Sequence, residues 1–193
     1  MFKRLPILLL IGACLSLAAS AQRRIPTVDD LLNVKGLGGA QISPDGKYVA
    51  YTINETDWKQ DAFVTHIWLT NTATGKTFQL TRGEKSAGNA QWSPSGEWLA
   101  FTSNRVGDKN QIFVIYPDGG EAAQLTRAEN GVNNFAWSRD GKSIAFTVSD
   151  ADQKAVKERK DHLGDFEVVR REYNHSHICT FDLAEALKEP VAG

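Results

Sequence analysis

The 193-residue sequence predicts an all-β fold, a partial β-propeller of four-stranded antiparallel blades entered through one short helix. Three observations carry this. Gln79-Leu80-Thr81-Arg82 recurs as Gln124-Leu125-Thr126-Arg127, and the same 45-residue offset maps Ile67 onto Ile112, Gly75 onto Gly120, Ser93 onto Ser138 and Gly96 onto Gly141. A fixed period of this size marks repeated supersecondary units. A turn tetrad also returns three times, as Ser43-Pro44-Asp45-Gly46, Ser93-Pro94-Ser95-Gly96 and Ser138-Arg139-Asp140-Gly141. After each comes an alternating run: Val49-Ala50-Tyr51-Thr52, Leu99-Ala100-Phe101-Thr102, then Ile144-Ala145-Phe146-Thr147.

Residues 1–21 have the form of an export signal. Lys3 and Arg4 precede an almost wholly apolar stretch from Leu5 to Ala18, and Ala19-Ser20-Ala21 fits a small-residue cleavage site. The stretch is shorter than the ~20 residues a membrane helix needs. An alternative processing site is Ile11-Gly12-Ala13-Cys14, which resembles a lipoprotein box and would anchor the chain at Cys14. Residues 22–36 form a lead-in. Thr27-Val28-Asp29-Asp30 fits a capping box, with Leu31, Leu32 and Val34 along one side and Gly36 as the stop.

Residues 37–193 hold the repeats. Proline sets φ for the second position of the turn in the first two copies, and glycine closes all three. Ile42, Trp92 and Trp137 stand just before the turns. Period-two alternation places Val49 and Tyr51 on one face and Ala50 on the other, a pattern suited to a sheet covered on both sides. A third strand follows in each copy: Ile67-Trp68-Leu69, Ile112 to Ile115 and Ile178 to Phe181. Turns at Asn71 to Gly75 and Pro117 to Gly120 lead to fourth strands ending at Leu80 and Leu125. Copies differ in the loop before the third strand, where Ser43 to Ile67 spans 24 residues, Ser93 to Ile112 spans 19 and Ser138 to Ile178 spans 40. The longest holds a charged run from Asp152 to Asp161, which reads as solvated surface.

Without Lys3 and Arg4 the chain keeps 20 basic and 23 acidic residues, a net charge of −3 with no basic cluster. Nucleic-acid binding needs a concentrated basic face and is not expected. One cysteine, Cys179, remains after the leader, so an internal disulfide is excluded, and its apolar strand suggests a buried thiol. No Gly-x-Ser-x-Gly elbow, Gly-x-x-x-x-Gly-Lys loop or His-Glu-x-x-His motif occurs. The nearest imitation, Gly83 to Gly88, has the wrong spacing and falls between strands. His175 and His177 share one side of a strand but lack a third ligand at useful spacing, and His66 takes the place that Gln111 takes in the next copy. Trp92 and Trp137 are matched repeat positions and therefore core, whereas Trp58 in the longer first loop stays open as a stacking residue. The sequence accordingly assigns no catalytic, cofactor-binding or metal-binding residue.

The stretch 43–52 and its copies resemble the propeller repeats of the prolyl oligopeptidase family of serine peptidases, with its acylaminoacyl- and dipeptidyl-peptidase branches. They also resemble TolB-like propellers, which share Phe101-Thr102-Ser103-Asn104-Arg105 and Gln111-Ile112-Phe113-Val114. The direct start of the repeats favours the peptidases, as do Lys157 to Lys160, Phe166 to Val169 and Tyr173 to Leu183, which are similar to a charged insertion in secreted acylaminoacyl members. The resemblance implies a propeller that gates short peptides toward a C-terminal α/β-hydrolase domain bearing the serine, aspartate and histidine. That domain has no match here, so the chain is expected to be a fragment of about three and a half blades, inactive alone. A dipeptidyl branch would need paired glutamates, and Glu158 and Glu172 stand apart. The resemblance also implies export to the periplasm or exterior, with no cofactor. The alternative is a non-catalytic TolB-like propeller that docks a periplasmic protein.

Overall fold

The computed structural model describes residues 25–149 and 175–192. The expected leader, the charged run Asp152 to Asp161 and the run Phe166 to Val169 lie outside them. Two units divide the chain at Val34. The first contains α1 (Val28–Leu32), whose capping box forms as its sequence requires. Asp30 N–H donates to Thr27 Oγ1 at 3.2 Å, and Thr27 N–H donates to Asp30 Oδ2 at 2.8 Å. The helix ends before the glycine expected to stop it. Asn33 is its C-cap, and its side-chain amide donates to Asp29 O at 2.8 Å, supplying in one residue what Gly36 was expected to supply.

The second unit is a partial β-propeller of antiparallel sheets. β1 (Gly36–Ile42), β2 (Tyr48–Asp57), β3 (Ala62–Asn71) and β4 (Thr77–Gln79) make the first blade in sequential order. β5 (Ala87–Trp92), β6 (Leu99–Ser103), β7 (Gln111–Ile115) and β8 (Ala123–Gln124) make the second. β9 (Asn134–Trp137), β10 (Ser143–Ser149) and β11 (Ser176–Asp182) form a three-stranded third blade.

The turn tetrads explain their own recurrence. Each glycine N–H closes the turn on the serine carbonyl, at 2.8, 2.9 and 3.0 Å in successive blades. The serine hydroxyl accepts from the backbone N–H five residues on: Tyr48, Trp98 and Ser143, at 2.9, 3.0 and 2.9 Å. In blades one and three that hydroxyl donates to the turn aspartate, Asp45 at 2.7 Å and Asp140 at 2.6 Å. The Ser43 hydroxyl, followed by Lys47, holds Asp45 down to about 2. Blades stack at these turns. A side chain at Gly96 would meet Pro44 Cδ at 3.4 Å, and one at Gly141 would meet Pro94 Cδ at 3.3 Å.

The indoles bind blade to blade in the same rhythm. Trp92 Nε1–H donates to Gln41 O at 3.4 Å, and Trp137 Nε1–H donates to Gln91 O at 3.3 Å. Matched sequence positions thus have matched partners one blade back. Ile42, the equivalent in the first blade, has no preceding blade among the described residues and is 68% exposed. Replacing Trp137 with phenylalanine keeps the ring and removes the donor. The expected loss is about 0.5–1.5 kcal/mol in urea unfolding, with a larger loss for alanine.

Alternation distributes β6 and β7 between two cores. Leu99, Phe101, Phe113 and Ile115 pack with Ala50, Ile67 and Leu69 of the first blade. Ala100, Ile112 and Val114 pack with Ile144, Phe146 and Phe181 of the third. Large side chains face one neighbour while Ala100 lets the other approach closely. Such burial stabilises by roughly 1.5–3 kcal/mol per large side chain, less the entropy of ordering it.

After β11 the chain does not lay down a fourth strand within the described residues. Asp182 caps α2 (Leu183–Ala186), Ala186 is fully buried, and the following segment returns to the second blade. There Val191 N–H donates to Leu125 O at 2.9 Å and Arg127 N–H donates to Val191 O at 2.7 Å, a parallel bridge. The polar stretch Lys188-Glu189-Pro190 with Val191 is an anchored strap across blades two and three.

Candidate functional site

The recurring Gln-Leu-Thr-Arg motif is a clasp on the third strand of each complete blade. Leu80 N–H donates to Ile67 O and Leu125 N–H to Ile112 O, both at 2.8 Å. In return Ile67 N–H donates to Thr81 Oγ1 and Ile112 N–H to Thr126 Oγ1, both at 2.9 Å. Backbone donor and acceptor are thereby satisfied by two consecutive residues, and the hydroxyl requirement fixes the threonine in sequence.

Beside each clasp lies a buried polar residue that ties down the crossing to the next blade. Gln111 uses its whole amide. Its Nε2–H donates to Ala128 O at 2.8 Å, while Oε1 accepts from Ala128 N–H at 2.9 Å and from Thr126 Oγ1–H at 2.8 Å. His66 holds the matched place in the first blade and is equally buried, but its Nδ1 has no hydrogen-bond partner. Burial is the main cause lowering its pKa, with Arg105 lowering it further and Glu55 acting in the opposite direction. The unfolded chain then binds more protons than the folded one below about pH 6.5. Stability should be fully present above that pH and decline as the medium becomes more acidic. His66→Gln should flatten the decline, measured by urea midpoints between pH 7.5 and 5.5; an unchanged slope would refute the assignment.

Between β4 and the β7–β8 turn runs a groove of about 420 Å³, lined by Phe78, Leu80, Arg82, Arg105, Asp118 and Glu121 among others. Arg105 sits on the rings of Phe101 and Phe113, with its Cζ 5.0 and 5.2 Å from their centroids, and its Nε–H donates to Ser103 Oγ at 3.2 Å. Burial lowers its pKa, and one guanidinium nitrogen, Nη2, is buried without a partner. Tyr48 of the first blade donates its hydroxyl to Asp118 of the second at 2.8 Å, bracing this junction. Cations and acids together over apolar walls can seat a small charged or amphipathic group. The hydroxyl in its lining is that of Thr81, which is engaged in the clasp on Ile67.

The structure separates the other residues that the sequence singles out. His66 lies within β3, not ahead of it, and pairs in register with Ile53. His177 lies in β11 opposite Val148, with His175 just ahead of the strand. Among the described residues no group of three or more His, Cys, Asp or Glu is placed to hold a metal. Trp58 is exposed in the turn between β2 and β3. Cys179 is a free, partly buried thiol packed against the core of blades two and three, less covered than its apolar strand suggests. Of its equivalents, Phe113 is buried, while Trp68 is half-buried like Cys179 although a fourth strand pairs beside it. Sequence reasoning missed Gln111 as a buried anchor. Its only signal was the pairing with His66 at one repeat position, which marks a place where hydrogen-bonding capacity matters more than shape.

Comparison with known proteins places this geometry. The TolB beta propeller domain profile matches residues 22–178. The uncharacterized peptidase YuxL of Bacillus subtilis (strain 168) is 36% identical over 100 residues, which are 52% of this chain and 15% of that protein. The AtxE2 isopeptidase superposes with a TM-score of 0.66 at 16% identity, over 83% of this chain and 31% of that one. An acylaminoacyl peptidase of Pyrococcus horikoshii superposes with a TM-score of 0.54 at 17% identity, over 64% of this chain and 19% of that one. The chain thus spans under a third of each of these relatives.

Proposed function

The chain belongs to the TolB beta propeller domain family, and on that premise we propose that it is the propeller portion of an exported serine-type oligopeptidase. The observation that carries this reading is the stretch 36% identical to a peptidase, of which it spans only 15%. The fold is also that of propeller-bearing stretches in an isopeptidase and an acylaminoacyl peptidase. In the complete protein an α/β-hydrolase domain supplies the serine, aspartate and histidine, and the propeller admits short peptides and turns away folded ones. The chain contributes walls, loops and clasps; hydrolysis belongs to its catalytic partner domain.

Size filtration follows from stiffness. Blades joined by indole–carbonyl bonds and stacked turns present a rim that large chains cannot spread without breaking several contacts at once. Export follows from Lys3, Arg4 and the apolar stretch after them. Among the described residues no helix is long and apolar enough to cross a membrane.

A fluorophosphonate probe applied to the native full-length gene product tests the proposal. Labelling of one serine, lost on prior heat denaturation, is the expected result. A silent full-length product would turn the assignment toward the non-catalytic alternative, a TolB-like propeller that docks a periplasmic protein.

A further inference from the structure

We propose that the groove between the first two blades binds a short extended peptide with free termini, its ammonium at Asp118 and Glu121 and its carboxylate at Arg82 and Arg105. The next junction shows what such an occupant looks like. There Pro190-Val191-Ala192 of the chain itself runs parallel to Leu125-Thr126-Arg127, with Val191 N–H donating to Leu125 O and Arg127 N–H donating to Val191 O. Val191 also packs against the apolar core of blades two and three. Leu80-Thr81-Arg82 is the same motif one repeat earlier, clasped on its own third strand in the same way, and it lines the groove. Both walls belong to four-stranded blades, so the groove is a feature of the junction between them.

Direction and charge agree. A segment parallel to Leu80-Thr81-Arg82 has its N-terminus toward Phe78 and its C-terminus toward Arg82. Tyr48 pairs with Asn71 where β3 ends, so its bond to Asp118 sets the acidic β7–β8 turn at the Phe78 end of the groove. Arg105 lies toward the other end, over Phe101 and Phe113, a cross-strand pair two residues back along β7 from Ile115. Its Nη2 is a buried donor without a partner among the described residues, and a carboxylate would supply the acceptor. Two strand steps and part of the turn separate acids from cations by roughly 7–10 Å. An extended chain of about two to three residues spans that distance. Phe78, Leu80 and Ile115 wall the middle, and about 420 Å³ is a volume typical of small-ligand sites.

An NMR titration of the isotope-labelled full chain with the tripeptide Ala-Val-Ala tests this. It reads binding and not hydrolysis, so its outcome is separate from that of the peptidase reading. The expected result is shifts at Leu80, at Arg82 and from Asp118 to Ala122. Affinity should fall at least about tenfold when the peptide is N-acetylated or C-amidated. Arg82→Ala should shrink the amidation penalty and leave the acetylation penalty, and Glu121→Gln should do the reverse. Both side chains are exposed, so the fold does not depend on them. Methylating the valine nitrogen should abolish binding by removing the donor to Leu80 O. Equal affinity for free and capped peptides, penalties that do not sort by end, or no shift at millimolar peptide would overturn the proposal.

Discussion

Phe101→Ala is expected to lower the stability of the folded chain by about 3–5 kcal/mol, which is much of what a domain of this size has in hand. Phe101 is fully buried on β6, in the core shared by the first two blades. Its ring stacks on Phe113 with centroids 5.8 Å apart, and the Arg105 guanidinium lies above both rings. Truncation removes the ring, opens a cavity between two rigid sheets, and leaves a partly desolvated cation without one of its two aromatic faces. The sheets cannot close over the gap, because stacked turns and the Trp92 bond hold their spacing. Urea unfolding monitored by tryptophan fluorescence would show the loss. Phe101→Leu should lose much less, and a drop below 1 kcal/mol for alanine would mean the site collapses freely.

Gln111→Leu is expected to cost about 2–4 kcal/mol although leucine is more apolar and close in size. The amide satisfies Ala128 N–H, Ala128 O and the Thr126 hydroxyl, all out of reach of water. Leucine would strand these groups in the interior, and a buried unpaired donor or acceptor carries its full desolvation penalty. Gln111→His, which copies the residue of the first blade, should cost less, because one ring nitrogen can still reach the crossing. The ordering glutamine above histidine above leucine is the check. Equal stability of the leucine and histidine variants would show that packing, not hydrogen bonding, fixes this position.

The parts of the fold legible in sequence are those made by residues close together in the chain. Ser43-Pro44-Asp45-Gly46 and its copies encode a turn whose hydroxyl, carboxylate and glycine bonds all close within six residues. The third and fourth strands were legible for the same reason, since Ile67 and Leu80 meet across one short turn. Trp92 and Trp137 were legible through their shared offset, which revealed that they do the same thing before showing what it was.

The illegible parts are long-range. Nothing local in Glu189-Pro190-Val191 announces a pairing with Leu125 and Arg127, more than sixty residues earlier. The left-handed Asn89 in β5, φ +49°, stands where β1 has Gly39, φ +61°. Both sit in register-shifted stretches of the first strands. Asparagine tolerates that conformation, so the residue change concealed the shared geometry. The apolar strand around Cys179 implies full cover, but the thiol is only partly buried, because cover depends on a neighbour that strand cannot specify.

The strap formed by Val191 makes the two blade joints among the described residues unequal. The junction of blades two and three is sewn by an indole, by the Gln91 and Asn89 amides and by the returning chain. That of blades one and two has the indole, the Tyr48–Asp118 bond and the bonds of Thr65 and Gln60 to the crossing segment at Ser86 and Glu84, but no returning chain among the described residues. Under mechanical load the molecule should therefore peel and not shear. The first blade would come away alone, and the remaining pair would yield together at a higher force as one hinge-free block.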